Sequence, residues 1–225
     1  MGKLVNLWKE RTVNIPRAPR RRSAKNLVVL LILGALGIAG TIALNFLVPG
    51  FQPLELMLLL VVTGFVVLGY TQNVIRGLMS AALLYIASGV AATFYQVTAP
   101  YIGAPFSATV DRNILALSFG VLTAVIWVTL EALARASFRD TTLPELGILD
   151  KLGGLFIYLI IGVLVASLLF NTIGYGQWER RAHNEALLRS RFNQVLYLHY
   201  ATQSFWFPRR PPPIYAYDLD LPRER

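Results

Sequence analysis

The chain has 225 residues, of which 55% are hydrophobic and only 15% are charged, and its formal net charge is +9. Because a soluble domain carries roughly 25% charged residues, this composition excludes an ordinary soluble fold and predicts an integral membrane protein. The absence of cysteine excludes disulfides, iron–sulfur clusters and thiolate metal sites. The excess positive charge lies at the two ends of the chain. There it predicts binding of anionic lipid headgroups and not of nucleic acid.

A basic N-terminal arm, residues 1–26, holds eight of the 21 Lys and Arg residues. The first apolar run, residues 27–48, has 22 uncharged residues. A helix of that length measures about 33 Å and can cross a bilayer core of about 30 Å. Three glycines of this run lie three residues apart. They indicate either a thin face on which another helix packs closely or the general glycine enrichment of membrane helices. These glycines are Gly34, Gly37 and Gly40.

The second and third apolar runs, residues 54–69 and 78–95, are joined by a short polar hinge. A connection this short predicts two antiparallel neighbouring helices. Glu55 stands at the start of the second run, where we expect its carboxylate to lie near the lipid headgroups, and Arg76 lies in the hinge. Residues 96–113 contain two prolines and are expected to form a loop.

The fourth and fifth apolar runs are residues 114–130 and 152–173. Glu131 and Arg135 are four residues apart, which predicts an ion pair at the end of the fourth helix. Residues 135–151 are amphipathic and predict a short helix on the membrane surface. The sequence therefore predicts an all-α integral membrane protein with five transmembrane helices.

The distribution of Lys and Arg predicts how these helices are oriented. With the N-terminus in the cytoplasm, the basic arm and the inner loops carry 12 cations and the outer loops carry one. This arrangement follows the positive-inside rule. The C-terminal tail then lies on the periplasmic or extracellular side. Its eight arginines do not reverse the assignment, because long tails cross largely regardless of charge.

The C-terminal tail, residues 174–225, has two parts. Residues 177–205 have helical periodicity, and the resulting helix is expected to lie in the membrane interface or to dock on a partner. One face of it carries Leu188, Phe192, Val195, Leu196 and His199. Residues 208–225 include three consecutive prolines and predict an extended polyproline segment that Tyr215 and Tyr217 anchor to a surface.

Groups suited to catalysis are scarce in the apolar runs. The runs contain no His, Cys, Lys or Arg, and their carboxylates lie only at the ends. We therefore predict no enzyme activity, no cofactor and no metal site, and we expect no place for a nucleophile–base pair. Polar side chains inside membrane helices more often bond neighbouring helices than line a pore. Those that could line a path are Asn45, Ser88, Ser118 and Thr123.

Several short motifs lie between residues 54 and 173. An acidic residue opens the first helix, a glycine precedes the polar hinge, a serine follows the hinge arginine, and a Leu-Asp-basic-x-x-Gly pattern precedes the last helix. These positions are Glu55, Gly69, Arg76, Ser80, Leu149, Asp150, Lys151 and Gly154, with Gly153 beside the last. In these motifs residues 54 to about 173 resemble the CvpA family, the colicin V production proteins of bacterial inner membranes. That family often has glycine where this chain has Asn73, and an acidic residue where it has Gly77.

The resemblance implies a four-helix membrane domain in the bacterial inner membrane, to which residues 27–48 add a helix and residues 174–225 add a tail. The expected function is that of a non-catalytic accessory subunit or scaffold, packed against other subunits of a larger membrane complex such as a photosynthetic or respiratory one. The alternative is a component of a bacterial export, transport or envelope-maintenance system.

The roles expected of the site residues are structural. Arg76 is expected to fix the hinge against headgroup phosphates or a nearby carboxylate. Asp150 is expected to cap the last span. Gly153 and Gly154 are expected to allow close helix packing.

Overall fold

The structure, a computed structural model, describes residues 24–106, 109–137, 147–206, 211–217 and residue 219. Within these ranges the regular structure is entirely helical. Five long helices are followed by three short ones. They are α1 (Ala24–Leu47), α2 (Pro53–Tyr70), α3 (Val74–Gly103), α4 (Arg112–Ser137), α5 (Gly147–Gly176), α6 (Arg180–Glu185), α7 (Arg189–Gln203) and α8 (Pro213–Ala216).

The five predicted apolar runs all form helices, and the fold is an all-α membrane protein. Helices α2, α3 and α4, and the part of α5 from Leu149 to Gly176, are long and apolar enough to cross a membrane. In α1 the apolar stretch that the structure describes is shorter, Leu31–Leu47. The helices extend past the apolar runs into the polar residues at their ends.

The predicted hinge is a tight turn between α2 and α3. Its backbone amides at Thr71 and Gln72 donate to Leu68 and Gly69 at 3.0 and 3.1 Å. The two helices are therefore antiparallel neighbours. We call this end of the bundle the hinge end, and we call the opposite end, where α5 leads into α6, the tail end.

The prediction of a loop over residues 96–113 is wrong for residues 96–106, which are helical. Helix α3 continues through Pro100 to Gly103 and ends in a 3₁₀ turn, Ala104–Phe106. Ala99 and Gly103 are buried, so packing of this last turn outweighs the one hydrogen bond that proline removes. Membrane helices tolerate proline where neighbouring helices cover the backbone.

Helix α5 lies at the centre of the bundle. It packs against α2, α3 and α4 and also contacts the three short C-terminal helices. The two closest pairs of helices are α2 with α5 and α3 with α4, whereas α1 packs on α2. The core consists of two clusters of buried side chains, one centred on Tyr95, Phe119 and Tyr215 and the other on Leu58, Phe170 and Phe192.

The C-terminal tail packs against the chain's own bundle. Helix α7 contacts α5, and Ile214 and Tyr215 of α8 are fully buried. The apolar face predicted for this segment is therefore covered from within the same chain, at Phe192, Leu196 and His199. The expectation that Tyr215 anchors an extended segment to a surface is wrong, because its ring lies in the core and Pro213–Ala216 forms a helical turn.

Three predictions lie wholly or partly outside the described residues. They are the basic arm up to residue 23, the surface helix between residues 138 and 146, and the tail at residues 207–210 and beyond 219.

Candidate functional site

Glu55 lies in the first turn of α2 at the tail end and is fully buried among the chain's own helices. Its level near the lipid headgroups stays a prediction. One carboxylate oxygen accepts the backbone N–H of Gln52 at 2.9 Å, which caps α2 itself. The other accepts the backbone N–H of Leu188, the N-cap residue of α7, at 2.6 Å. A carboxylate at a helix N-terminus accepts hydrogen bonds from the free backbone amides there, and its negative charge interacts favourably with the positive end of the helix dipole. Glu55 therefore caps two helices at once.

Asp150 makes the corresponding contact at the hinge end. It lies in the first turn of α5, but its carboxylate accepts the backbone N–H of Val74, the first residue of α3, at 2.9 Å. The hydrogen bond that the structure shows for Asp150 thus goes to a neighbouring helix, and the predicted cap on its own helix stays a prediction. The side chain is 6% exposed, so the bond lies largely out of water. Glu55 and Asp150, which we call the cross-capping carboxylates, each join one span to the start of another helix.

The glycines at the hinge end bring α2 and α5 into backbone contact. A Cβ added at Gly69 would lie 2.6 Å from Cβ of Tyr158 and 2.9 Å from Cα of Leu155. A Cβ added at Gly154 would collide with the carbonyl oxygen of Gln72, and one at Gly153 with the side chain of Val74. The close packing predicted for Gly153 and Gly154 is thus present.

Ser80 and Arg76 lie near the same end. Ser80 is 2% exposed and lies within hydrogen-bonding reach of Tyr158 on α5. The predicted ion pair between Glu131 and Arg135 is present at 3.0 Å. The role of Arg76 in fixing the hinge stays a prediction.

The glycine face predicted on α1 is only partly used. A Cβ added at Gly37 would collide with Thr63 of α2, whereas Gly34 and Gly40 meet nothing within 4 Å. Glu55, the hinge-end residues and the α1 glycines therefore occupy three separate places in the fold.

Helix α7 runs from the tail end back along α5 and ends beside the middle of α3. Phe192, in its first turn, packs against Phe170 of α5 with the ring planes tilted by 37° and the ring centroids 5.1 Å apart. At its far end the phenol of Tyr85 donates to the carbonyl of Thr202 at 2.7 Å. The last carbonyls of a helix have no partner within the helix, and this hydrogen bond satisfies one of them. Both ends of α7 are thus capped by side chains of the spans, Glu55 at one and Tyr85 at the other.

A group of buried and half-buried side chains with polar atoms fills the contact between α7 and α3. We call it the α7 polar cluster: Tyr85, Ser88, His199, Gln203 and Tyr215. The Ser88 hydroxyl lies 3.0 Å from Nε2 of His199. The Gln203 amide donates to Ser88 at 3.0 Å and to the carbonyl of Tyr85 at 2.6 Å, and it accepts from the phenol of Tyr215 at 3.3 Å.

The cluster corrects one prediction, because it places a hydroxyl and an imidazole in contact where no nucleophile–base pair was expected. Ser88 is fully buried and His199 is 6% exposed. Ser88 also lies 3.0 Å from the carbonyl of Tyr85, so its hydrogen bonds stay within the protein. Burial lowers the pKa of His199 from 6.5 to about 4, which keeps the imidazole neutral at pH 7. The two side chains thus form a buried contact between α3 and α7.

Residues 211–217 lie among the spans, against the tail-end half of α5. The Asn171 amide of α5 donates to the carbonyl of Ile214 at 2.8 Å. The Tyr217 ring meets Tyr175 edge-on, with centroids 5.8 Å apart. Non-helical backbone among membrane helices requires partners from the protein. The prolines at 211–213 reduce this requirement because they carry no N–H group.

Other buried polar groups also join neighbouring helices. The hydroxyls of Thr98 and Ser118 lie 2.7 Å apart, and Ser118 donates to the carbonyl of Tyr95 at 2.8 Å. His183 is 1% exposed and stacks on Phe170, with ring centroids 4.2 Å apart. Asn45 is exposed on α1, apart from the others.

Among the residues that the structure describes, no three His, Asp or Glu side chains come together as a metal site would require.

The comparisons with known proteins agree with the motifs. The family model described as colicin V production protein matches residues 54–199. The chain belongs to this family. Comparison with curated proteins and with solved structures gave no match. The match in the colicin V production family extends beyond residue 173, where the sequence resemblance ended, through α6 and into α7 as far as His199. The docked helix α7 therefore lies mostly inside the family region and is not simply an added tail.

Proposed function

We propose that this multi-pass membrane protein of the colicin V production family is a non-catalytic subunit that packs against other proteins in a larger membrane complex. The proposal is supported by buried polar side chains that hold the helices of the bundle in place. Glu55, Asp150, Asn171 and Gln203 each bond to the backbone of a different helix or segment. Groups used in this way fix the positions of helices, which is the requirement of a scaffold.

A catalytic role would need a reactive group that a substrate can reach. The Ser88–His199 contact is the pair that most resembles a catalytic one, and both side chains lie inside the bundle. The structural reading of this pair accounts for its burial, for its neutral imidazole and for its place at the end of α7.

Helix α1 supplies the surface on which a partner would pack. It contacts α2, and its side chains at Leu31, Leu36 and Ile38 are exposed by half or more. Gly34 and Gly40 leave open space on this helix. Membrane helices associate through such close approaches, because lipid offers no hydrophobic driving force between them.

Affinity isolation of the tagged chain from native membranes in mild detergent tests the proposal. We expect a second polypeptide in near-stoichiometric amount, identified by mass spectrometry. The double variant Gly34→Leu/Gly40→Leu should lose that polypeptide while remaining folded. Gly64→Leu, at an equally open glycine on α2, is the matched control and should retain it. Recovery of the wild-type chain alone or as a homo-oligomer would contradict the proposal.

We further propose that the protein lies in the bacterial inner membrane with its hinge end in the cytoplasm and its tail end in the periplasm. The excess of Lys and Arg at residues 1–26 supports this orientation. Because the chain has no cysteine, single cysteines introduced at Asn184 and Thr71 can report on the two ends. A membrane-impermeant thiol reagent should label Asn184→Cys in cells with a permeabilised outer membrane, and Thr71→Cys only after lysis. The reverse pattern would contradict the orientation.

A role in export or transport is the second candidate, and the α7 polar cluster favours it. A polar path through the bundle requires polar side chains between the spans, and Ser88, His199 and Gln203 lie there. The test is solute flux in reconstituted vesicles, with Ser88→Ala as the variant and Asn45→Ala, exposed on α1, as the control. Loss of flux in the first variant alone would support this candidate, and absence of flux in the wild type would remove it.

A further inference from the structure

A wide cleft opens at the tail end, where the spans meet the short helix α6. Its volume is about 730 Å³. The first turn of α2 forms one wall, and the end of α5 with α6 forms the other. The inner surface is apolar and consists of Pro53, Leu54, Met57, Ile173 and Ala182. The rim is polar or amphipathic and consists of Gln52, Trp178, Glu179, Arg181 and Glu185. A cleft with an apolar floor and a charged rim suits an amphipathic ligand.

An apolar stripe leads out of the cleft along the outer face of α2. Met57, Leu60, Gly64 and Leu68 are all exposed and recur at the spacing of a single helix face. From Met57 to Leu68 the stripe is about 16 Å long at 1.5 Å per residue. One leaflet of a bilayer core is about 15 Å deep, so the stripe matches the length over which an acyl chain lies in the membrane. At Gly64 nothing approaches within 4 Å of an added Cβ.

The rim carries two carboxylates and one guanidinium. Arg181 donates through Nε to Glu185 at 3.0 Å, and its side chain is 88% exposed. That bond uses one of the five N–H donors of the guanidinium, and phosphate is a ligand that the others suit. The lining carries two carboxylates and one arginine, because the neighbouring Arg180 lies outside it. This balance disfavours a headgroup with net negative charge. Trp178 is half-exposed beside them, as aromatic side chains at the headgroup level commonly are.

We propose that this cleft binds one phospholipid whose headgroup carries a phosphate and a primary ammonium group, as in phosphatidylethanolamine. The phosphate contacts Arg181, the ammonium group lies between Glu179 and Glu185, and one acyl chain follows the α2 stripe. A primary ammonium donates hydrogen bonds to carboxylates, whereas a quaternary ammonium has no N–H to donate. The headgroup is therefore selected by hydrogen bonding as well as by charge.

Native mass spectrometry of the full-length protein in non-ionic detergent tests the inference. The protein is titrated in parallel with phosphatidylethanolamine, phosphatidylcholine and phosphatidylglycerol that share the same acyl chains. We expect one tightly retained phosphatidylethanolamine per chain, and weaker retention of the other two lipids. Arg181→Ala should weaken phosphatidylethanolamine binding about tenfold. Glu179→Gln/Glu185→Gln should abolish the preference over phosphatidylglycerol.

Arg191→Ala is the matched control, because Arg191 is an exposed arginine of α7 outside the cleft. It should bind phosphatidylethanolamine as the wild type does. All the substituted side chains are exposed, so folding is expected to survive, and a size-exclusion profile checks this. Equal retention of the three lipids by the wild type would overturn the inference. Unchanged binding in Arg181→Ala, or equal loss in Arg191→Ala, would also overturn it.

Discussion

Replacement of Gln203 by leucine tests whether the α7 polar cluster holds the C-terminal segment in the bundle. The side chain is fully buried and makes three hydrogen bonds, to Tyr85, Ser88 and Tyr215. A leucine keeps much of the volume but makes none of them. At about 1 kcal/mol for each bond, the docked state of α7 should lose about 2–3 kcal/mol relative to its open state. Since 1.4 kcal/mol is a factor of ten, opening should increase roughly 30- to 150-fold.

Amide hydrogen exchange followed by mass spectrometry measures this opening directly. Peptides from α7 should exchange faster by the same factor, whereas peptides from the centre of α5 should not change. Gln194→Leu is the matched control, because Gln194 lies on the same helix but is exposed. Equal exchange of α7 in the two variants would refute the reasoning, because burial of Gln203 would then contribute nothing to docking.

Three further perturbations test other parts of the structure. Asp150→Ala removes a charge-assisted bond to Val74 and should lower the free energy of unfolding by about 2 kcal/mol, measured by denaturant titration in detergent; an unchanged midpoint would contradict its cross-capping role. Gly154→Ala should destabilise the protein in a thermal melt, whereas Gly64→Ala, at an open position, should not; equal melting temperatures would contradict the close α2–α5 packing. Acidification should release α7, because the unfolded pKa of His199 is 6.5 and its buried value is about 4. The neutral form is favoured in the docked state, so stability is full above pH 6.5 and falls as pH drops towards 4. The expected loss is about 3 kcal/mol; hydrogen exchange of α7 that does not accelerate between these pH values would contradict it.

The spans were predictable from the sequence because one strong property defines them. Uncharged runs of sufficient length can satisfy their backbone in lipid only as helices. The hinge at Gly69 and the close packing at Gly154 followed from short motifs. The bounds were less accurate, and α3 continued through Pro100 because burial of Ala99 and Gly103 is a tertiary effect.

The docking of α7 was not predictable in the same way. Periodicity identified its apolar face, but it cannot say whether that face meets lipid, a partner or the same chain. One signal was present: Phe192, Leu196, His199 and Gln203 share a face, and all four are buried. Polar residues on an apolar face require buried partners. Ser88 on α3 supplies one of them, through a contact 111 positions apart in the sequence.

The sequence identified Glu55 and Asp150 as residues of interest, but it did not predict which helices their carboxylates contact. An acidic residue in the first turn of a helix normally indicates a cap for that helix, and Glu55 does cap α2. The second bond of Glu55 to Leu188, and the bond of Asp150 to Val74, depend on how the helices are arranged in space. Only the packed structure could place them.

We have proposed that this colicin V production family member is a structural subunit of a larger membrane assembly. The most direct measurement is the mass of the intact particle, extracted from native membranes in polymer-bounded nanodiscs and analysed by native mass spectrometry. We expect a particle that contains this chain and at least one different polypeptide in fixed ratio. A particle that contains one or more copies of this chain and lipid, with no second polypeptide, would contradict it.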